Sequence, residues 1–111
     1  MKQPALIPIL TVNDLRTTLE WFGQLGFATV DYNPEDAHVH RFDWHVMLEQ
    51  GEGASDGLTL VCDLGDHDLD EYRYCLGTQG LGPTPVHNGQ FTIDSPDGFR
   101  LKFCKAALTF N

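Results

Sequence analysis

Apolar residues in this chain come in short runs, some with strand period and some with helix period, separated by clusters of turn-forming residues. Ala5 to Val12 is long enough for a strand and too short for a helix. Pro8 lacks an amide hydrogen, which puts this strand at an edge or interrupts it. Asn13 or Asp14 can cap a helix whose apolar stripe is Leu15, Leu19, Phe22 and Leu25, and Gly26 suits its left-handed stop. Phe27 to Tyr32 reads as a strand and Asn33-Pro34-Glu35-Asp36 as a turn. Ala37 to Phe42 and Trp44 to Gln50 read as a hairpin around Asp43, and the polar, Gly-rich stretch Gly51 to Gly57 as a connector.

The order then repeats. Leu58 to Leu64 is a strand, and Asp68 caps a short helix with Glu71 placed for a capping box. Leu69, Tyr72 and Leu76 form its stripe. Gly77 to Pro85 is loop, and a strand near Pro85 to His87 is short and poorly formed. Phe91 to Ile93 is a strand, Ser95-Pro96-Asp97-Gly98 a tight turn, and Phe99 to Lys105 the last strand. Asp14-Leu15 recurs 54 residues later as Asp68-Leu69, Gly23 as Gly77, Gly26 as Gly80, Val39 as Ile93 and Met47 as Leu101. A unit too small to bury its own apolar face packs on its twin, so one supersecondary unit used twice is expected. The first module covers about 1–53 and the second about 54–111, together one domain.

Charge narrows the partners. A formal net charge of −9 over 111 residues repels nucleic acid and anionic membrane and favours a cationic ligand. Acidity by itself also serves solubility. Cys62, Cys75 and Cys104 make an odd count without zinc spacing, as expected of reduced thiols. Met1-Lys2-Gln3-Pro4 leads straight into a strand run. No signal peptide or membrane-length apolar stretch is read, so the expected location is the cytoplasm.

Two stretches carry a family likeness: Ile7-Pro8-Ile9-Leu10-Thr11-Val12-Asn13-Asp14-Leu15 with Trp21-Phe22 and Leu25-Gly26-Phe27, and Asp94-Ser95-Pro96-Asp97-Gly98-Phe99-Arg100-Leu101-Lys102-Phe103. With the duplicated layout, they resemble the glyoxalase, bleomycin-resistance and extradiol-dioxygenase superfamily, the vicinal oxygen chelate fold. That resemblance implies an α+β fold. Two tandem βαβββ modules form a curved, partly closed mixed sheet around a groove, with the helices outside. It also implies a homodimer.

Strand alternation sorts faces for such a groove. Phe99, Leu101 and Phe103 are core, which turns Arg100 and Lys102 to the groove. Carrying the 54-residue offset onto the first module makes Trp44, Val46 and Leu48 groove-facing. Ala37 and Val39 are core with Phe91 and Ile93, leaving His38, His40 and Phe42 toward the groove. Leu6, Leu10, Leu60 and Cys62 are core, and Ile7 and Val61 face the groove. His45 and Glu49 fall on the core side, which requires hydrogen bonds or strand-end positions.

Metal-dependent members of the resembled family carry His, Gln or Glu at positions that fall here on Ile7, Leu48, Val61 and Lys102. None is a good ligand, so no metal and no cofactor are expected at that site. The contrary signal is His38 and His40, two apart on a strand and facing one way, with His45, His87 or Glu49 as a third ligand.

The reading that follows is a small-molecule-binding protein of the bleomycin-resistance type. It holds an aromatic or heterocyclic ligand without a metal, against His38, His40, Phe42, Trp44, Arg100 and Lys102. Tyr32 and Trp21 stand nearby, although core packing is the better account of Trp21. The alternative is a metal-dependent lyase, isomerase or dioxygenase with relocated His ligands. A third is an association module whose sheet is covered by a protein partner.

Overall fold

The computed structural model describes residues 6–53 and 56–105. The chain divides into two compact units, Met1–Ser55 and Asp56–Asn111.

In the first unit the order is β1 (Ile9–Val12), α1 (Leu15–Gln24), β2 (Ala28–Tyr32), β3 (Asp36–Arg41) and β4 (Trp44–Gln50). Four strands form one sheet in the order β1-β4-β3-β2, with β1 parallel to β4 and the other pairs antiparallel. β1 is shorter than the apolar run suggested. Residues 6–8 lie outside it, Leu6 is almost fully exposed, and Ala5 falls outside the described residues. Asp14 is the N-cap, its carboxylate accepting from the Thr17 amide at 3.3 Å and the Thr17 hydroxyl at 2.9 Å. Those bonds hold its pKa below the ordinary value, the hydroxyl first among the causes. The helix ends with Gly26 at φ +94°, and the Phe27 amide reaches back to the Phe22 carbonyl at 3.0 Å. Gln50 joins the end of β4 to the start of the helix. Its Oε1 accepts from the Leu15 amide at 2.7 Å, and its Nε2 donates to the Asn13 carbonyl.

The second unit runs β5 (Thr59–Asp63), α2 (Leu69–Thr78), β6 (Gln90–Asp94) and β7 (Arg100–Cys104), with sheet order β5-β7-β6. Asp68 caps α2, accepting from the Glu71 amide at 3.0 Å. α2 runs through Thr78, one residue beyond the Gly77 at which a loop was expected to begin. The weak strand expected near Pro85 to His87 is reduced to one isolated bridge, His87 with Gln90. Pro83 and Pro85 have no amide to donate, so the segment meets β6 only at intervals, through the Thr84 amide to the Thr92 carbonyl at 3.0 Å and the His87 amide to the Gln90 carbonyl at 2.9 Å. The helix packs on the sheet through Tyr72, edge-on to Phe103 at 5.4 Å, and Phe103 stacks on Phe91 at 5.0 Å.

The face of β4 needs correcting. Val46 pairs with Val39 and Leu48 with Ala37, and all four are buried. Trp44, Val46 and Leu48 therefore point into the core beneath α1, with Leu10 and Val12. His45, Met47 and Glu49 point the other way, with His38 and His40. The constant offset fails at the second hairpin. Val39 and Ile93 are 54 apart, but their partners Val46 and Leu101 are 55 apart, because β6–β7 has one more turn residue. A one-residue slip moves a whole strand's side chains to the opposite face.

This correction predicts opposite costs at adjacent positions. Leu48→Ala is expected to lower the unfolding free energy by about 2–5 kcal/mol, whereas Met47→Ala should cost less than about 1 kcal/mol. Urea unfolding of the two variants checks it, and the reverse ranking would restore the original face assignment.

Candidate functional site

In the first unit, α1 covers one face of the sheet through Leu15, Thr18 and Phe22. The other face carries Thr11 on β1, His38 and His40 on β3, and His45, Met47 and Glu49 on β4, all at least partly exposed. Register makes them neighbours: His40 lies opposite His45, His38 opposite Met47, and Thr11 beside Glu49. His38 Nε2 and His45 Nδ1 are 2.9 Å apart, with their rings 5.1 Å apart at 50°. His40 stacks on His45 at 5.5 Å and 16°. The Thr11 hydroxyl donates to Glu49 Oε1 at 3.2 Å. Three imidazoles thus share one patch, two in direct contact. Imidazole can donate, accept, stack or ligate, so this patch has the widest chemistry in the unit.

His38 and His40 stand on the expected face. His45, assigned to the core side by the sequence, belongs with them. Phe42 is not on a strand. It forms a two-residue turn with Asp43 between Arg41 and Trp44, at φ +54°. A bulky residue at positive φ is uncommon and strained. Its ring meets Trp44 edge-on at 5.1 Å and lies under the Arg41 guanidinium at 4.6 Å. Trp44 is half-buried, and its ring centre is 6.0 Å from that of Phe27. It packs at the core's end rather than on the imidazole face. Trp21 is buried against Phe22, and Tyr32 is exposed on β2.

In the second unit, Arg100 and Lys102 alternate with buried Leu101 and Phe103 as expected. Arg100 lies between Thr59 and Asp94 in register, and its Nε donates to Asp94 Oδ1 at 2.7 Å. Asp94 raises the Arg100 pKa, though both groups are well exposed and screened by water. These three residues line a cavity of about 370 Å3 with Gly57, Leu58 and Gly98. Lys102 lies between Val61 and Thr92.

The positions where the resembled family carries metal ligands shift with the register. Val61 pairs with Lys102, and the matching parallel pair in the first unit is Ile9 with Met47. Leu48 and Ile7 are replaced by Met47 and Ile9 as the comparable outward positions. Neither pair contains imidazole or carboxylate. Among the described residues no group of three or more His, Cys, Asp or Glu is placed to hold a metal ion.

The cysteines differ in reactivity. Burial, with a smaller contribution from Cys104, pushes the Cys62 thiol up to about 12. Burial and Asp63 raise Cys104, opposed by Lys102. Cys75 is exposed. At pH 8 a thiol reagent should modify Cys75 first and Cys104 more slowly. Cys62 should react only after unfolding, because the folded site holds its proton across the neutral range. Mass mapping of timed alkylation tests that order, and early labelling of Cys62 would contradict it.

No protein-family model matches the sequence, and no curated protein matches it significantly. Solved structures do match. A bleomycin-binding protein complexed with bleomycin superposes with a TM-score of 0.78 at 18% identity, covering 94% of this chain and 99% of the other. The bleomycin-binding protein of Streptomyces verticillus, complexed with copper(II)-bleomycin, gives 0.79 at 21% identity, covering 96% and 98%. A fosfomycin resistance protein, FosX, from Mesorhizobium loti gives 0.73 at 18% identity, covering 98% and 96%. At these identities the likeness establishes the fold. It is α+β, built from two βαβββ-like modules, as in the bleomycin-binding members of the vicinal oxygen chelate superfamily.

Proposed function

We propose that this protein binds a small molecule in the manner of the bleomycin-resistance proteins, taking an aromatic or heterocyclic, positively charged ligand. No metal is needed to hold it. The observation that carries the reading is the imidazole patch on the face that α1 leaves uncovered, on a fold shared with proteins solved in complex with bleomycin. His38 and His40, with His45, supply stacking surface and hydrogen bonds, and Phe42 supplies an exposed ring at the end of the same hairpin. Trp44 supports Phe42 from behind. The second unit carries its own polar cavity at Arg100, with Lys102 two residues further along β7. A charge of −9 favours a cation at long range.

The same reading includes a homodimer and a cytoplasmic location. Ile9 on edge strand β1 and Val61 on edge strand β5 are both more than half exposed, and pairing of chains would cover such groups. No helix among the described residues is long and apolar enough to cross a membrane.

Calorimetric titration with metal-free bleomycin, in the presence of a chelator, tests the proposal. One saturable site per chain is expected. The double variant His38→Ala/His40→Ala should weaken binding at least about tenfold, equivalent to about 1.4 kcal/mol. Trp44→Phe should change it less than about threefold. Absence of saturable binding to bleomycin and to a panel of cationic aromatic heterocycles, or unaltered binding by the double variant, would overturn it.

A further inference from the structure

We propose that His38 and His45 form a chelating pair for a borderline transition-metal cation, zinc, nickel or copper(II). The site lies away from the positions that the resembled family uses. Two bonds of about 2.0–2.1 Å from imidazole nitrogen, meeting at an ion at right angles to tetrahedrally, place the two nitrogens about 2.9–3.4 Å apart. His38 Nε2 and His45 Nδ1 are already 2.9 Å apart. They come from neighbouring antiparallel strands, so the spacing is set by sheet register rather than by a loop. His40, stacked on His45, steadies the plane of that ring.

The contact between the two imidazoles is a hydrogen bond, with one proton between two nitrogen lone pairs. Once that proton has moved to the far nitrogen of its own ring, a cation can take both facing lone pairs. Starting from two neutral rings, His38 shifts its hydrogen from Nε2 to Nδ1 by exchange with solvent, His45 keeps its hydrogen on Nε2, and no net proton is released. Imidazole suits zinc, nickel and copper better than it suits magnesium or calcium. The surroundings favour a positive ion: Asp31 on β2 lies opposite His38, and Asp36 and Glu49 form the next cross-strand pair. Met47, also opposite His38, is uncharged. With only two imidazoles in the set, water fills the remaining positions and the ion exchanges readily. The site is facultative. It shares His38 and His45 with the ligand face proposed above, so the two are tested apart: the ligand with a chelator present, the ion with no ligand.

The test uses the metals alone. Tag-free protein, stripped with a chelator, is titrated calorimetrically with copper(II), nickel(II) and zinc(II) chloride, and the copper form is examined by electron paramagnetic resonance. One ion per chain is expected, with nitrogen hyperfine structure from two imidazoles. His38→Ala and His45→Gln should each weaken binding at least about tenfold, while His40→Ala should change it less than about threefold. Circular dichroism establishes that each variant is folded, and His38→Gln replaces any that is not. Absence of stoichiometric binding, equal binding by the His38 and His45 variants, or loss of binding in His67→Ala or His87→Ala would overturn the assignment.

Discussion

The pairing of β3 with β4 decides what each side chain of the first unit can do. Once Arg41 faces Trp44 across the two-residue turn, Val39 must meet Val46 and His40 must meet His45. Every alternate residue then follows. The turn is itself held from outside the strands. Arg41 donates from Nη1 to the Gly26 carbonyl at 3.0 Å while its guanidinium caps the Phe42 ring. Gly26 is at φ +94°, and a Cβ there would collide with the same guanidinium. One glycine therefore ends the helix and admits the arginine that fastens the hairpin. Helix stop, turn and register form one linked constraint.

Local chemistry was legible wherever one residue decides the outcome. Both helices start at aspartates whose carboxylates reach the third residue beyond, and the first stops at its glycine. Leu15, Phe22 and Leu25 of the first expected stripe are buried while Leu19 is partly exposed, and the second stripe, Leu69, Tyr72 and Leu76, is buried throughout. The weak strand before β6 was foreseeable from its prolines. The faces of β7 were also legible, because Phe99, Leu101 and Phe103 leave no choice about which side is buried.

The face of β4 was not legible in the same way, for a definite physical reason. Trp44, Val46 and Leu48 are apolar, but Met47 is apolar too, and His45 is amphipathic, so alternation along β4 alone is ambiguous. The repeat does not resolve it, because a repeat transmits register only if its turns have equal length. Here the second hairpin is one residue longer. Partner identity held the better information. Ala37 and Val39 are core, and two-residue closure at Phe42–Asp43 sets Val46 and Leu48 against them. That closure was hard to see because Phe42 is a poor residue for positive φ, and nothing in its chemistry announces such a turn. The one-residue slip bears directly on the candidate site. It moved Trp44 onto the ligand face and took His45 away from His38, separating the two imidazoles that touch.

Duplication also explains why the two outward faces differ while the inward ones do not. A core position is constrained by its neighbours on both sides, so Val39 and Ile93, or Ala37 and Phe91, stay apolar. Outward positions are free of that packing constraint. The first unit has filled them with His38, His40 and His45, and the second with Arg100, Lys102 and Thr92. At the central parallel pairs, Ile9 with Met47 and Val61 with Lys102, neither unit keeps a carboxylate or an imidazole. The imidazoles lie instead on the β3–β4 ladder, His38 opposite Met47 and His45 two residues from Met47 along β4. The two-residue turn sets the register of that ladder, and the two imidazole nitrogens stand 2.9 Å apart across it.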